Sequence, residues 1–272
     1  MPHAEIDGRR LHYVRQGAGE PLLLIQGMSA NHLHWGDDFL GLLTDFDVVA
    51  YDHRGIGHSD GTAEPFTIAE LAGDAAELMD ALGWESAHIM GISMGGMVAQ
   101  ELALRHPERV RTLTLGCTYC GGEGSRLTDA AIVQRLGELL LGGRTEEALR
   151  YGFEVNVSPR FAQDPAGYEM VRGIVSQLPA SLDVLMLQLQ AIAGHDTSVR
   201  LRDLSVPTLV VHGTEDQIIP ADNGRLIAAL VPGSRLEVFE DVGHAFWWER
   251  PQRTAELLRE HAAAAAPQAS PQ

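Results

Sequence analysis

Residues 86–97 read SAHIMGISMGGM, and this stretch passes from a strand pattern into a helix pattern without a loop between them. Its apolar start, residues 86–90, predicts a buried strand, and residues 94–106, which stop at a proline, predict a helix. Between the two stands G-x-S-x-G, centred on Ser93, the pattern of a nucleophile on a sharp strand-to-helix turn. The stretch therefore predicts that the Ser93 hydroxyl is raised clear of a sheet at the start of a helix.

Small residues flank this serine, as such a turn requires. Gly91 and Gly95 stand two positions before and after it, where a strained backbone leaves no room for side chains. The start of the helix presents free N–H groups, which suit a developing oxyanion. The segment from Gly91 to Gly96 differs by one residue from the dinucleotide-binding pattern G-x-G-x-x-G. Ser93 replaces the middle glycine, which lets a pyrophosphate approach the backbone, and the segment does not belong to a βαβ unit at the start of the chain. We therefore expect nucleophilic catalysis without a cofactor.

The chain before this stretch predicts strands and one helix. Asp7-Gly8 separates two short alternating segments and predicts an antiparallel hairpin. Residues 21–25 and 47–51 are continuous apolar runs, typical of strands that are buried on both faces. Thr67 and Glu70 form a capping box for a helix that ends near residue 83.

The chain after the stretch continues the alternation of strands and helices. Strands are predicted at 110–115, 207–213 and 235–240, and helices at 222–230 and 251–262. Residues 121–206, between the first two of these strands, show only helical periodicity. This order predicts an α/β fold: a mostly parallel central sheet with an antiparallel N-terminal hairpin, helices on both faces and a helical cap insertion. We assign residues 1–120 and 207–262 to the core, residues 121–206 to a cap over the carboxyl ends of the strands, and residues 263–272 to a disordered tail.

Serine alone is too weak an acid to attack a carbonyl, so the prediction requires a base and an orienting acid. His244 follows the predicted strand at 235–240, and Glu215 and Asp216 follow the one at 207–213. The carboxyl ends of parallel strands meet at one edge of a sheet, which is where ligands bind in open α/β sheets. We therefore expect Ser93, His244 and one of the two carboxylates to meet there.

Four segments of the chain resemble the α/β-hydrolase fold family, and the likeness extends over nearly the full length. They are residues 26–28, residues 52–59, the serine turn, and residues 213–220 together with Gly243-His244. The resemblance implies a catalytic triad in the family's chain order, Ser93, Asp216 and His244. It favours Asp216 over the rival Glu215, because the family pattern G-x-x-D-x-x-x-P matches Gly213, Asp216 and Pro220.

The same resemblance implies where an oxyanion would bind. One donor is the N–H of the residue after the nucleophile, Met94, and the other is the N–H of Met28 in the loop after the first parallel strand. This chain departs from the family there, because Gln26-Gly27 stands where many members carry His-Gly. Residues 52–59 resemble the family's structural turn and are expected to carry no chemistry.

Composition excludes several other classes of protein. The 272 residues include 37 acidic side chains against 20 cationic ones, all of them arginine, for a formal net charge of −17. The absence of lysine excludes P-loop, Schiff-base and Ser-Lys chemistry, and the acidic balance argues against nucleic acid as a partner. No secretory signal and no apolar run of about 18 residues is visible, so we expect a cytoplasmic chain without a membrane partner.

Two other groups of side chains are weaker candidates for chemistry. Cys117 and Cys120 form a C-x-x-C after a predicted strand, and we interpret them as packed thiols rather than a redox pair. His32 and His34 lie near Trp35, but the sequence shows no third ligand, so no metal site is predicted.

These features predict a serine hydrolase that cleaves a carboxylic ester or lactone of a small, largely apolar molecule through an acyl-enzyme. The resemblance is to small esterases, enol-lactone hydrolases and polyketide-tailoring methyl esterases. A carbon–carbon bond hydrolase, a thioesterase and a cofactor-free perhydrolase stay open on the same triad, and so does a ligand sensor without turnover. The sequence does not indicate an oligomeric state.

Overall fold

The computed structural model describes residues 2–265 of the chain, and its strands form one sheet of eight. They are β1 (His3–Ile6), β2 (Arg9–Gln16), β3 (Glu20–Ile25), β4 (Phe46–Tyr51), β5 (Ala87–Ile92), β6 (Val110–Gly116), β7 (Thr208–Gly213) and β8 (Arg235–Phe239). Their order across the sheet is β1-β2-β4-β3-β5-β6-β7-β8. Strand β2 is antiparallel to both β1 and β4, whereas the pairs from β4 to β8 are parallel. The predicted mostly parallel sheet with an antiparallel N-terminal hairpin is confirmed.

The turn of that hairpin follows from its sequence. Asp7 and Gly8 both have positive φ, 47° and 75°. Two consecutive residues with positive φ make the type I′ turn whose twist matches paired strands, and Asp-Gly is among the pairs that favour it.

Ten α-helices accompany the strands within residues 2–265. They are α1 (Asp37–Gly41), α2 (Ile68–Ala81), α3 (Met94–Arg105), α4 (Ala130–Leu141), α5 (Thr145–Asn156), α6 (Pro165–Gln177), α7 (Leu182–Ala193), α8 (Asp222–Leu230), α9 (Phe246–Glu249) and α10 (Pro251–Ala265). The capping box that predicts α2 is present, since Thr67 and Glu70 each accept a hydrogen bond from the other's backbone N–H. The helices α2, α3, α8 and α10 begin and end within a few residues of the predicted positions.

Alternate residues of the parallel strands face two separate hydrophobic clusters. In β3, Leu23 and Ile25 pack with residues of α2 and α3, whereas Leu22 and Leu24 pack with residues of α1 and α10. Both sets are buried, so each face of the sheet is covered by helices. This is why the strands read as continuous apolar runs rather than as alternating ones.

The chain between β6 and β7 is helical, as predicted, and it starts and ends at one place. Helices α4 to α7 occupy this segment, and no strand occurs in it. The backbone N–H of Thr197 donates to the carbonyl of Cys120 over 2.8 Å, and the Thr197 hydroxyl donates to Gln100 of α3. We call this contact between residues 120 and 197 the neck. The division of the chain into a core and a cap domain stays a prediction.

The C-terminal helix is longer than predicted. Helix α10 continues to Ala265, so residues 263–265, which were expected to begin a disordered tail, are helical. The rest of that expected tail, residues 266–272, lies outside the described residues. In residues 2–265 no single helix has both the length and the hydropathy of a membrane span; α6 and α7 reach them only as a pair, across a bend of 106°.

Candidate active site

Ser93 lies on a strained turn between β5 and α3. Its backbone has φ 53° and ψ −123°, a conformation that residues with a side chain rarely adopt. A Cβ atom on Gly91 would lie 2.2 Å from the carbonyl oxygen of Gly95, and one on Gly95 would lie 2.1 Å from that of Ile25. Both positions therefore accept only glycine. The turn is anchored to the sheet, since the Ser93 N–H donates to the carbonyl of Gly116 over 2.9 Å.

Asp216 and His244 form a buried hydrogen-bonded pair. The Nδ1 atom of His244 lies 2.7 Å from Oδ2 of Asp216, and the two residues are 5% and 6% exposed. The other carboxylate oxygen, Oδ1, accepts the backbone N–H groups of Ile218 and Ile219 over 2.9 and 2.8 Å. A carboxylate with this many donors holds the imidazole in one orientation and one tautomer, with Nδ1 protonated and Nε2 free to accept a proton.

The surroundings keep Asp216 ionised. Burial alone would raise the pKa of its carboxyl group, but the charge of His244, the hydrogen bonds from His212 and His244 and the charge of His212 together lower that pKa to about 2. Glu215, the rival acid, points away and is exposed to solvent. Between the two carboxylates that the sequence offers, the structure thus brings Asp216 and not Glu215 to His244.

His212, at the end of β7, is a member of this site that the sequence analysis missed. Its Nε2 atom lies 3.2 Å from Oδ2 of Asp216 and 2.7 Å from the carbonyl of Ile219, and the side chain is fully buried. It contacts the same carboxylate oxygen as His244 does. A polar imidazole inside an otherwise apolar strand, four residues before the acid, is the signal that could have revealed it.

Ser93 and His244 follow strands of the same sheet at its carboxyl edge. The ring of Phe246, two residues after His244, covers Gly116: a Cβ atom added to Gly116 would lie 2.7 Å from Cζ of Phe246. The carbonyl of the same Gly116 accepts the Ser93 N–H. In the part of the chain that the structure describes, no hydrogen bond joins the Ser93 hydroxyl to His244. Hydrogen bonds of this kind are often long in a free enzyme and shorten when substrate binds.

The loop after β3 passes directly over the nucleophile. A Cβ atom on Gly27 would lie 3.0 Å from the Cβ of Ser93, so glycine allows the close approach. The buried Gln26 accepts the Gly27 N–H on its Oε1 atom over 3.1 Å, and its own carbonyl binds His53. Gln26 therefore supports this loop locally, at the position where the resemblance leads one to expect histidine.

Two backbone N–H groups beside Ser93 are available to a ligand. Within residues 2–265, neither the N–H of Met94, at the start of α3, nor that of Met28 donates to a protein acceptor. These are the two donors that the resemblance implies. Unpaired N–H groups at a helix start, next to a nucleophile, form an arrangement that can bind an oxyanion.

Helix α7 holds this loop from the other side. Oε1 of Gln188 accepts the N–H of Ser29 over 2.8 Å, and Gln188 is fully buried although it belongs to the helical insertion. Ser29 has a positive φ of 64°, so the hydrogen bond fixes an unfavourable backbone next to Met28. No local pattern in the sequence predicts this contact, because its partners are 159 residues apart.

The two cysteines are free and buried near this site. Burial raises the pKa of Cys117 well above its usual value, and the neighbouring carboxylate of Asp216 raises it further. Burial also raises the pKa of Cys120. Both groups are therefore protonated thiols at neutral pH, which makes them poor nucleophiles.

Comparisons with known proteins show what the chain and its fold are similar to. The family model described as alpha/beta hydrolase fold matches residues 20–137 and 183–251. A putative carbamate hydrolase, RutD, of Azorhizobium caulinodans is 31% identical over 260 residues, which cover 95% of this chain and 97% of that protein. The structure of Est816, described as an N-acyl homoserine lactone degrading enzyme, has a TM-score of 0.79 at 31% identity and covers 95% of this chain and 99% of its own. The enol-lactonase from Burkholderia xenovorans LB400 has a TM-score of 0.82 at 26% identity, with 96% and 100% covered.

Proposed function

This chain belongs to the α/β-hydrolase fold family, and from that premise we propose that it is a serine hydrolase that cleaves a carboxylic ester or lactone of a small, largely apolar molecule. The observation that carries the proposal is the buried Asp216–His244 hydrogen bond of 2.7 Å at the sheet edge where Ser93 occupies a glycine-flanked turn. An oriented imidazole beside a raised serine is the arrangement that nucleophilic acyl transfer requires.

The proposed reaction has two halves. The Ser93 oxygen attacks the carbonyl carbon while Nε2 of His244 takes the hydroxyl proton, and the N–H groups of Met94 and Met28 donate to the oxyanion. His244 then protonates the leaving alkoxide, which departs and leaves the acyl group on Ser93. Water repeats the sequence: it loses a proton to His244, attacks the acyl carbon, and the proton returns to Ser93 as the acid is released. Asp216 stabilises the imidazolium in both halves.

The relatives support the proposed bond type. Est816 and the enol-lactonase are named for lactones, which are cyclic esters. RutD is named for a carbamate, so carbamate hydrolysis is a second candidate function. A carbamate also places its carbonyl carbon next to the nucleophile and differs in the nitrogen attached to it, so the same residues could act on it.

Replacing Ser93 tests the mechanism. We expect Ser93→Ala to lower ester turnover by about 10⁴-fold or more, because the loss of a triad nucleophile has that effect, and to leave the unfolding midpoint unchanged. Mass spectrometry after reaction with an organophosphonate should locate one adduct on Ser93. Labelling of another residue, or turnover above about a thousandth of the wild-type rate, would contradict the assignment.

Asp216 and Glu215 form a matched pair of variants for the acid. Asp216→Asn should lower kcat steeply with a smaller effect on KM, because an amide favours the wrong imidazole tautomer. Glu215→Gln should leave both constants nearly unchanged, since that side chain is exposed. The reverse ranking would assign the acid to Glu215.

A substrate panel separates the candidate functions. We expect multiple turnovers on short p-nitrophenyl esters and on an acyl homoserine lactone, and lower kcat/KM on p-nitrophenyl carbamates, thioesters and vinylogous diketones. A preference for the carbamate would replace the proposed substrate class by the second candidate. A single stoichiometric burst without further turnover would indicate a ligand sensor.

A further inference from the structure

A cluster of histidines lies apart from the triad, at the place where the N-terminal hairpin meets two loops of the sheet. His12 belongs to β2, His32 follows β3 and His58 follows β4; we call these three the histidine cluster. The ring centroids of His12 and His32 are 4.8 Å apart, those of His12 and His58 are 5.1 Å apart, and those of His32 and His58 are 6.1 Å apart. Imidazoles that share one zinc ion at about 2.1 Å have ring centroids about 5 Å apart, so His12 is spaced from both His32 and His58 as such ligands are, whereas His32 and His58 are farther from each other.

His12 has an unused nitrogen inside the protein. Its Nδ1 atom lies 3.0 Å from the carbonyl of Pro2, which can only accept, so the proton is on Nδ1 and Nε2 carries a lone pair. That Nε2 atom is buried without a hydrogen-bond partner in residues 2–265, and the residue is 1% exposed. A buried acceptor without a donor is costly unless some group binds it.

The ring of His32 is also held through its Nδ1 atom, which leaves Nε2 unused. Its Nδ1 atom lies 2.9 Å from Oδ1 of Asp52, and that carboxylate also accepts the backbone N–H groups of His32 over 2.7 Å and of His58 over 3.0 Å. Asp52 is fully buried, and three donors hold its position. Nε2 of His32 therefore faces away from Asp52 with its lone pair free.

These hydrogen bonds are the ones that metal-binding histidines make. A histidine that binds a metal through one nitrogen commonly donates the other N–H to a carboxylate or a backbone carbonyl, which fixes the ring. His32 donates to the carboxylate of Asp52, and His12 donates to the backbone carbonyl of Pro2. One ligand atom each from His12, His32 and Asp52 already lie within 4.8 Å of one another.

The cluster has a route to solvent. His58 is half-buried and His3, whose ring centroid lies 5.2 Å from that of His12, is exposed, so an ion can enter from this side.

From this juxtaposition we propose that His12, His32 and His58 bind one divalent transition-metal ion of the zinc class, with Asp52 orienting His32. Imidazole ligands suit zinc, and a water molecule can supply the fourth ligand of a tetrahedron. The sequence analysis expected no metal site because it paired His32 with His34. The His34 ring instead contacts the backbone N–H and the side chain of Asn31, and the further ligands come from β2 and from the loop after β4. The bound ion would join the N-terminal hairpin to the loops after β3 and β4, a structural role.

Zinc binding to the full chain after treatment with a chelator tests this proposal. We expect one Zn²⁺ per chain in a titration against a chromophoric chelator, with a Kd in the micromolar range or tighter, and a rise in Tm at saturating zinc because only the folded chain holds the site. Cobalt in place of zinc should give the intense visible absorption of a tetrahedral site.

His58→Ala is the decisive variant, because a half-buried ring can be removed with little damage to the fold. We expect zinc affinity to fall at least 10- to 100-fold while the Tm of the metal-free protein stays near the wild-type value. His106→Ala, which removes a histidine after α3 whose nearest ionic partner is Glu108, should leave zinc affinity unchanged.

Two outcomes would overturn the proposal. Wild-type protein that binds no zinc at submillimolar concentration would show that the histidines only pack against one another. Equal zinc affinity of the wild type, His58→Ala and the milder His12→Gln would place the ion elsewhere. If a variant is poorly folded, the cobalt spectrum of the wild type decides, since octahedral or absent bands contradict a tetrahedral histidine site.

Discussion

At the scale of single residues, the proposed chemistry depends on the protein groups that form hydrogen bonds with Asp216. Two backbone N–H groups bind one of its oxygens, and the imidazoles of His212 and His244 approach the other. With a pKa of about 2, its carboxyl group is ionised at every pH at which the protein is expected to work. The charge that orients His244 is therefore constant, and it does not depend on pH near neutrality.

This constancy predicts the shape of the pH–rate profile. Since the pKa of Asp216 is about 2, protonation of this carboxylate cannot cause a loss of activity between pH 5 and 8. A general base acts only in its unprotonated form, because a proton on Nε2 of His244 would occupy the nitrogen that has to accept the Ser93 proton. We therefore expect kcat/KM on an activated ester to fall as pH is lowered, with the slope of one ionisation.

The profile should be measured alongside the folded fraction at each pH, so that acid unfolding is not counted as titration. A flat profile from pH 5 to 8 would contradict the role of His244 as general base. A slope of two would show that a second group, which the structure does not reveal, titrates in the same range.

The residue scale also shows how far sequence reasoning reaches. Ser93, Asp216 and His244 each stand in a local pattern at the end of a predicted strand, so their position at one sheet edge could be predicted. His212 could not be identified as a site residue from the sequence, because an isolated histidine in a strand has many explanations until its partner is known. Proximity in space to Asp216 gives it a role, and that proximity depends on the loop at residues 213–219.

At the scale of elements, helix α7 supports the loop that carries the proposed Met28 donor. The hydrogen bond from Ser29 to Gln188 is buried, so water cannot replace it well when it is lost. Gln188 would thus be a positioning residue: it holds the backbone that binds the oxyanion without contacting the substrate itself.

Gln188→Leu tests this role. Removal of one oxyanion donor costs about 10²- to 10³-fold in kcat, and a loosened donor should cost less, so we expect a fall of about 10-fold in kcat with little change in KM. The matched control is Gln190→Leu, which alters an exposed glutamine on the same helix. Equal effects of the two variants, or an effect on KM alone, would contradict the positioning role.

The elements themselves could be predicted well, and their contacts could not. The capping box at Thr67 and the proline after α3 set helix limits through local chemistry, and apolar runs set the strands. Which side of the insertion faces the loop after β3 depends on packing between segments far apart in the chain. The histidine cluster also depends on packing between distant segments, because its members come from β2, from the loop after β3 and from the loop after β4.

At the scale of the whole molecule, the chain contains arginine as its only cationic side chain of constant charge, and one buried pair illustrates its use. Arg54, after β4, makes two parallel hydrogen bonds to Asp74 of α2, over 2.8 and 2.6 Å. The two side chains are 8% and 5% exposed. The pair fixes the contact between α2 and the sheet in a geometry that a lysine could not reproduce.

Asp74→Ala should destabilise the fold by about 3 kcal/mol, because it leaves the Arg54 guanidinium buried without its partner. Urea unfolding followed by circular dichroism measures the effect. The control is Glu147→Ala, which removes an exposed partner of Arg144 and should leave the unfolding midpoint unchanged. Similar midpoints for the two variants would show that the Arg54–Asp74 pair is not a determinant of stability.

The neck between Cys120 and Thr197 has a consequence for how this molecule can diversify. The N–H and the hydroxyl of Thr197 both donate to the Cys120 carbonyl, over 2.8 and 3.3 Å, and residues 138–182, which the family model does not match, lie wholly between these two residues. Any change of length or side chain beyond the neck therefore has to keep two contacts to the site: the one between Gln188 and the Ser29 N–H, and the one between the Asn156 carbonyl and the N–H of Ala245, next to His244. Variation that keeps these two contacts would alter the insertion and leave the backbone around Ser93 and His244 in place.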